Sequence, residues 1–322
     1  MSHAWTRKTA IMAVLLTMLA ITVTFVALRT GVADSTSSII WEIRAPRVIM
    51  ALLIGAGLAV AGGLMQGSLS NPLADPGIVG VSAGAALGTV IAVTLGLSFA
   101  TFGTALAASL GAAAALAVVI SVSMHDKKPE VVTLLLAGVA VTGFAGAALA
   151  ILVSMSSNAA VRSITFWSSG SFSLTTWDSV TSVAPFILAG LILAFTVTRQ
   201  LDVAALGDRD AMAAGVNITR MRMRALLAVV LLVAAGVGTV GVIAFVGLLI
   251  PHAVRMVIGP RHAPLLLISG ITGALFLLLA DTLARTIANP LEIPVGAITA
   301  IVGAPVFFLL IRRTRARQGG WA

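Results

Sequence analysis

Charged residues are so sparse in this chain that the stretches between them outline its architecture. Runs free of Asp, Glu, Lys and Arg cover residues 9–28, 48–74, 76–125, 131–161, 179–198, 225–254, 262–280 and 293–311. A helix needs about 20 apolar residues to cross a bilayer, and charge is costly inside hydrocarbon. Each run therefore accommodates at least one membrane helix. The run 76–125 holds two, divided near Gly96–Thr101, and 225–254 holds either one tilted helix or two short ones. The pattern predicts nine or ten spans.

Basic residues decide between the two counts. With ten spans and the N-terminus inside, fifteen Lys and Arg fall on the inner side; Arg29, Arg44, Arg47, Arg162 and Arg285 fall outside. Nine spans would split them ten and ten. Cytoplasmic loops carry the excess of Lys and Arg, so ten spans with both termini cytoplasmic are expected. A turn must then interrupt 225–254, where Gly236, Gly238 and Gly241 offer the backbone freedom for it. Arg7 and Lys8 precede a 20-residue apolar run, Thr9–Leu28, which is longer than a signal-peptide core and lacks a cleavage pattern. It reads as a retained first span.

Composition agrees. Of 322 residues, 59% are hydrophobic and 10% charged, against roughly 25% charged in soluble chains. This excludes a soluble enzyme and a disordered chain. The net charge of +9 follows from the inner loops and does not call for nucleic acid. The absence of Cys excludes disulfides, thiolate metal sites and a Cys nucleophile. The fold class is an all-α polytopic membrane protein, with residues 1–322 as one transmembrane domain. The longest inner connector, Arg199–Arg224, carries eight charges and reads as two short helical pieces. The longest outer one, about Ser156–Ser179, is rich in Ser and Trp. Gly84-xxx-Gly88 has the spacing that lets membrane helices approach closely. Asn71-Pro-Leu and Asn289-Pro-Leu echo each other, a slight hint of an internal repeat.

Several patterns mimic chemistry. Gly80-Val-Ser82-Ala-Gly84 fits a hydrolase elbow, but that turn needs a preceding strand and His and acid partners. Close helix packing is the simpler reading. Gly236-Val-Gly238-Thr-Val-Gly241 fits a dinucleotide fingerprint without the following acid, and no P-loop occurs. ATP hydrolysis, if used, belongs to another subunit. His3, His125, His252 and His262 are dispersed, so no metal site is expected.

Three stretches together carry a resemblance. They are Asn71-Pro-Leu-Ala-Asp-Pro-Gly-Ile-Val-Gly-Val-Ser-Ala-Gly-Ala85, Gly241-Val-Ile-Ala-Phe-Val-Gly-Leu-Leu-Ile-Pro-His-Ala-Val-Arg255 and Pro294-Val-Gly-Ala-Ile-Thr-Ala-Ile-Val-Gly-Ala-Pro-Val-Phe-Phe308. The chain resembles the FecCD/BtuC-type permeases from about residue 40 to 313. These are the membrane subunits of type II ABC importers for ferric siderophores, haem and cobalamin. The resemblance implies the BtuC-like fold of ten helices in a bacterial cytoplasmic membrane. It also implies a second permease subunit forming a homodimer or heterodimer, two ATPase subunits that bind ATP and Mg, and an extracytoplasmic substrate-binding protein. No cofactor on this chain is implied.

Residue by residue, Leu206-Gly207-xxx-Ala211-xxx-Gly215-Val216 matches the segment that docks in the ATPase groove, with Ala214 where the family often has Leu. Asp208, Arg209 and Asp210 would lie at its wet rim. Arg44-Ala-Pro-Arg47 and Arg285 match outer arginines that dock the binding protein; anchoring of the second helix and a local Arg285–Asp281 pair are the alternative. Asn71, Pro72 and Asp75 form an inner gate or a rigid turn, and His252 and Arg255 contact the ATPase or lipid phosphates. Met65, Gln66, Ser82, Ser154, Ser156 and Thr299 are candidate pathway residues. No acid falls in a span core, which argues against an ion-coupled carrier. A ferric siderophore is the expected cargo, with haem or cobalamin as the alternative.

Overall fold

The structure is a computed structural model that describes residues 7–30, 36–125, 128–129, 131–155, 167–288 and 291–317. Arg162, Ser156 and the Asn289-Pro290 half of the echoed tripeptide lie outside the described residues. The elements run α1 (Arg7–Arg29), α2 (Ser37–Ser68), α3 (Val81–Thr94), α4 (Phe102–Ser123), the strands β1 (Met124–His125) and β2 (Lys128–Pro129), then α5 (Val131–Met155). They continue as α6 (Trp177–Ala204), α7 (Asp208–Ala213), α8 (Ile218–Val240), α9 (Val246–Ile258), α10 (His262–Ala284) and α11 (Val295–Arg317). The two strands pair antiparallel through Met124–Pro129 and His125–Lys128. Among the described residues, seven helices are long and apolar enough to cross a membrane. Three shorter apolar helices, α3, α9 and the Val295–Leu309 part of α11, bring the number to ten.

Local chemistry sets the helix starts. The Thr101 and Thr104 side chains cap α4 reciprocally, Thr176 and Ser179 do the same for α6, and the Asn217 side chain accepts from the Arg220 N–H at the start of α8. In α2 the Ala45 N–H reaches the Ile40 carbonyl, a π-type turn over Ile40–Arg44. Pro46 follows at once. Having no N–H, it breaks the regular ladder, and widening the preceding turn lets the helix continue.

α2 is the hub, packed against α10, α8, α9 and α6. Its approach to two neighbours requires glycine. A Cβ on Gly55 would run into the Gly273 carbonyl of α10, and a Cβ on Gly62 into the Gly247 backbone of α9. The Gly84–Gly88 spacing works the same way: Gly84 faces Gly111 and Gly88 faces Ala107, closing α3 on α4. Without a hydrophobic force between helices in lipid, such small-residue contacts carry association.

Three boundaries differ from expectation. α2 begins at Ser37 and so takes Glu42, Arg44 and Arg47 into the helix. The connector 199–224 holds one short helix, α7, because α6 runs on to Ala204 and α8 starts at Ile218. The turn inside 225–254 falls at Gly241 (φ 81°), while Gly236 and Gly238 stay helical and pack against Ile54 and Ala108. Val242–Ala244 lie outside any helix, and Phe245 (φ 68°) opens α9. Because Gly247 lies against Leu58 and Gly62 of α2, α9 starts about 9–15 Å in from the Ser68 end of α2. The chain thus doubles back into the body. The described part of the long outer connector joins it there: the Ser171 N–H donates to the Val240 carbonyl and the Gly296 N–H to that of Gly170.

Gly55→Ala and Gly62→Ala are each expected to cost about 1–3 kcal/mol, as overpacked core positions do. Gly143→Ala, whose Cβ meets nothing within 4 Å, should be neutral. Thermal unfolding of the detergent-solubilised chain checks this, and equal midpoints for all three would remove α2 as the packing hub.

Candidate functional site

Two faces and one cavity carry the polar groups of this chain. On the face away from α7, the three arginines expected to dock a partner are buried, with 4–8% of their surface exposed. The Arg47 guanidinium donates to both Asp281 carboxylate oxygens through Nε (2.9 and 3.2 Å) and to Glu292 through Nη1 (2.8 Å). Asp281 is 0% exposed. Arg285 donates to the carbonyls of Thr30 (3.0 Å) and Ala27 (2.7 Å), and Arg44 to that of Leu28 (3.1 Å). Those carbonyls lie at the end of α1, where a helix leaves acceptors unpaired and its dipole favours cations. Arg285 Nε also lies 3.6 Å from Asp281.

Arg44, Arg47 and Arg285, expected to dock a binding protein, are thus buried and make bonds within the chain that fasten α1, α2 and α10 together, the contacts that the anchoring alternative calls for. The sequence did not mark Arg47's partners, because Asp281 and Glu292 are 234 and 245 positions away. This face also carries an aromatic pair: the exposed Trp41 packs at a tilt, 5.2 Å between ring centres, on Trp177, whose Nε1 donates to the Trp41 carbonyl.

On the opposite face, α7 is bracketed by Gly207 (φ 120°) and Gly215 (φ 84°), conformations that L side chains rarely adopt. Ala211 is buried and Val216 half-buried, so this side of the segment packs inward. Leu206 and Met212 are exposed, and a Cβ on Gly215 would meet nothing within 4 Å. The result is a rigid turn with an open, small-residue outer surface. Arg209 and Asp210 lie at the rim as expected, whereas Asp208 turns inward onto Arg222 (3.0 Å).

Between the faces lies a cavity of about 490 Å³. It is lined by non-helical backbone from two directions: Asp75–Ile78 ahead of α3 and Val242–Phe245 ahead of α9. Irregular backbone at membrane depth is tolerated where protein or a cavity surrounds it. Asn71 Oδ1 accepts from the Leu73 N–H (2.9 Å) and Asp75 Oδ1 from the Gly77 N–H (2.8 Å), so the side chains of this loop tie its own turns. Pro72 is exposed. A Cβ on Gly247 would lie 3.0 Å from Asp75 Oδ2, which puts the loop against the first turn of α9.

His252 lies at the middle of α9 and Arg255 in its last turn, so the expected gate group is spread along that helix rather than gathered at its start. Of the candidate pathway residues, Ser82 lines this cavity, where it is joined by Thr142. Gln66 instead ties α2 to α9 by donating to the Leu248 carbonyl (3.2 Å). Ser154 and Thr299 bond to their own helices. Sequence reasoning missed Thr142, which carries no motif, and the Asp202–His262 contact (2.7 Å) that fixes the start of α10.

Asp281→Ala should cost about 3–5 kcal/mol, since it leaves a buried guanidinium short of its partner. The double variant Arg47→Met with Asp281→Leu should recover most of that loss. Thermal unfolding in detergent decides: a double variant as unstable as Asp281→Ala would show that the pair is not the source of the loss.

Residues 8–313 match the model of the FecCD transport family. The chain is 41% identical over 300 residues to the cobalamin import system permease of Halobacterium salinarum, covering 92% of this chain and 80% of that one. It is 39% identical to the hemin transport system permease of Yersinia pestis (89% and 88% covered). It is 41% identical to the Fe(3+) dicitrate permease of Escherichia coli (86% of each). Among solved structures, an inward-facing metal-chelate type ABC transporter superposes with a TM-score of 0.84 at 31% identity, covering 94% of this chain and 98% of that one. With the model matched across nearly the whole length and close relatives over most of theirs, this multi-pass membrane chain belongs to the FecCD transport family of ABC importer permeases.

Proposed function

We propose that this chain is the translocating subunit of an ATP-driven importer that carries a ferric siderophore across the cytoplasmic membrane. The observation that carries the ATP-driven part is α7. A short helix held between two positive-φ glycines, with open space over Gly215, is a rigid projection that a partner's groove can grip. The cargo assignment leans on the relatives, whose names specify ferric dicitrate, hemin and cobalamin: large ligands that enclose a metal. A cavity lined mainly by apolar groups, with Asp75, Ser82 and Thr142 as its polar side chains, suits them, because a pathway for such a ligand must bind weakly enough to release it.

In this reading a second permease copy or paralogue completes the pathway. Two ATPase subunits carry ATP and Mg, and an external protein delivers the ligand. The α7 face and both termini are cytoplasmic, as the distribution of basic residues requires. Closure of the ATPase pair moves α7, and the permease halves exchange which side is open. Nucleotide and binding protein act by stabilising one of two states more than the other.

Uptake into proteoliposomes tests the reading, with this chain, its genomic ATPase and its binding protein present. Radiolabelled ferric siderophore should accumulate only with ATP on the ATPase side. Accumulation of haem or cobalamin instead would reassign the cargo, and uptake without ATP would remove the importer reading. In the same system, Gly207→Trp with Gly215→Trp should abolish uptake while basal hydrolysis by the ATPase persists. Normal uptake by that double variant would withdraw α7 as the coupling element.

A further inference from the structure

α7 and the loop ahead of α3 are not packed directly onto each other. A cavity of about 370 Å³ separates them, lined by Met212 of α7, Met65 and Leu69 near the end of α2, Val79 of the loop, and Met223 and Leu226 of α8. The lining is largely apolar and offers few directional contacts between α7 and the loop. One side chain crosses the edge of this gap. Arg222, in the second turn of α8, donates through Nη2 to both oxygens of Asp208 (3.0 and 3.3 Å), the first residue of α7. Through Nε it donates to the Ser68 carbonyl (3.1 Å), at the last residue of α2.

The Ser68 end is mechanically sensitive. Helix-terminal carbonyls lack an intrahelical donor, and Arg222 supplies one. Two residues later Ser70 has φ 50°, the left-handed residue that closes the helix, with the Asn71 N–H donating to the Gln66 carbonyl (3.1 Å) and the Ser70 N–H to that of Gly67 (3.3 Å). From there the chain runs directly into Asn71–Ile78 and the larger cavity. A planar fork can hold a carboxylate with one edge while another N–H is fixed elsewhere; the point charge of Lys cannot reproduce that geometry.

We propose that Arg222 is a positioning residue, the strut by which movement of α7 reaches the end of α2 and the Asn71–Gly80 loop. This rests on the reading of α7 as the ATPase contact. When α7 shifts, Asp208 carries the guanidinium with it, and the guanidinium moves or releases the Ser68 carbonyl. The turn that closes α2 at Ser70 shifts with it, changing how the loop lies against the first turn of α9.

The test uses the full complex in proteoliposomes and reads ATP hydrolysed per ligand imported, a ratio that mere loss of stability leaves unchanged. Arg222→Ala and Arg222→Lys should raise the ratio about tenfold, as expected for losing a charge-assisted hydrogen bond, while the complex still assembles on size exclusion. The exchange Asp208→Arg with Arg222→Asp restores the ion pair, but an Asp at 222 has no donor for Ser68. It should assemble equally well and leave the ratio high. A wild-type ratio in Arg222→Lys, or in the exchange, overturns the strut while leaving the importer reading intact. Absence of ATP-dependent uptake by the wild-type complex overturns both.

Discussion

A peptide group in hydrocarbon finds no water to bond, and the architecture of this chain is organised around the places where its helices stop. α1 ends at three carbonyls held by Arg44 and Arg285. α2 ends at Ser68, held by Arg222. α9 starts inside the body, where the non-helical backbone ahead of it is enclosed by α2, α3, the 167–172 segment and a cavity. Each interruption is covered by a charged side chain or by neighbouring backbone, as the absence of solvent demands.

This gives the arginines of the chain a common character. Arg47, Arg285 and Arg222 each join elements far apart in sequence, and each uses more than one N–H to do so. Arg47 and Arg285 make the face away from α7 a fixed collar around Asp281. Arg222 works beside a cavity, on a link between a projecting helix and the left-handed turn that closes α2. The same side-chain chemistry is static where the surroundings are packed and free to transmit motion where they are not.

Glycine has a similar double use. Gly55, Gly62 and Gly273 permit backbone contact between α2 and its neighbours, which makes the hub rigid. Gly207, Gly215 and Gly241 supply positive φ where the chain must turn, and those turns create the projection of α7 and the re-entry before α9. A stiff centre with a projecting turn on one face and a cavity in the middle suits a subunit driven from outside itself.

The sequence by itself determined the class and, from eight charge-free runs and the placing of the basic residues, the ten apolar helices, because charge in hydrocarbon is costly; three motif-bearing stretches carried the resemblance to the family. It also located α7, whose glycine spacing is local and whose turns depend on φ alone. The division of 225–254 was legible as a need for a turn, but Gly236, Gly238 and Gly241 are equivalent until packing against Ile54 and Ala108 holds two of them helical. The roles of Arg44, Arg47, Arg222 and Arg285 were decided only by tertiary structure. An arginine's function is set by which acceptor it reaches, and these acceptors come from backbone ends and carboxylates that lie near in sequence in only one case, Asp281 with Arg285. The larger cavity is likewise a product of packing: its walls come from the segments ahead of α3 and α9 and from side chains of α2, α3, α5 and α9, and the placement of α9 against α2 brings them together.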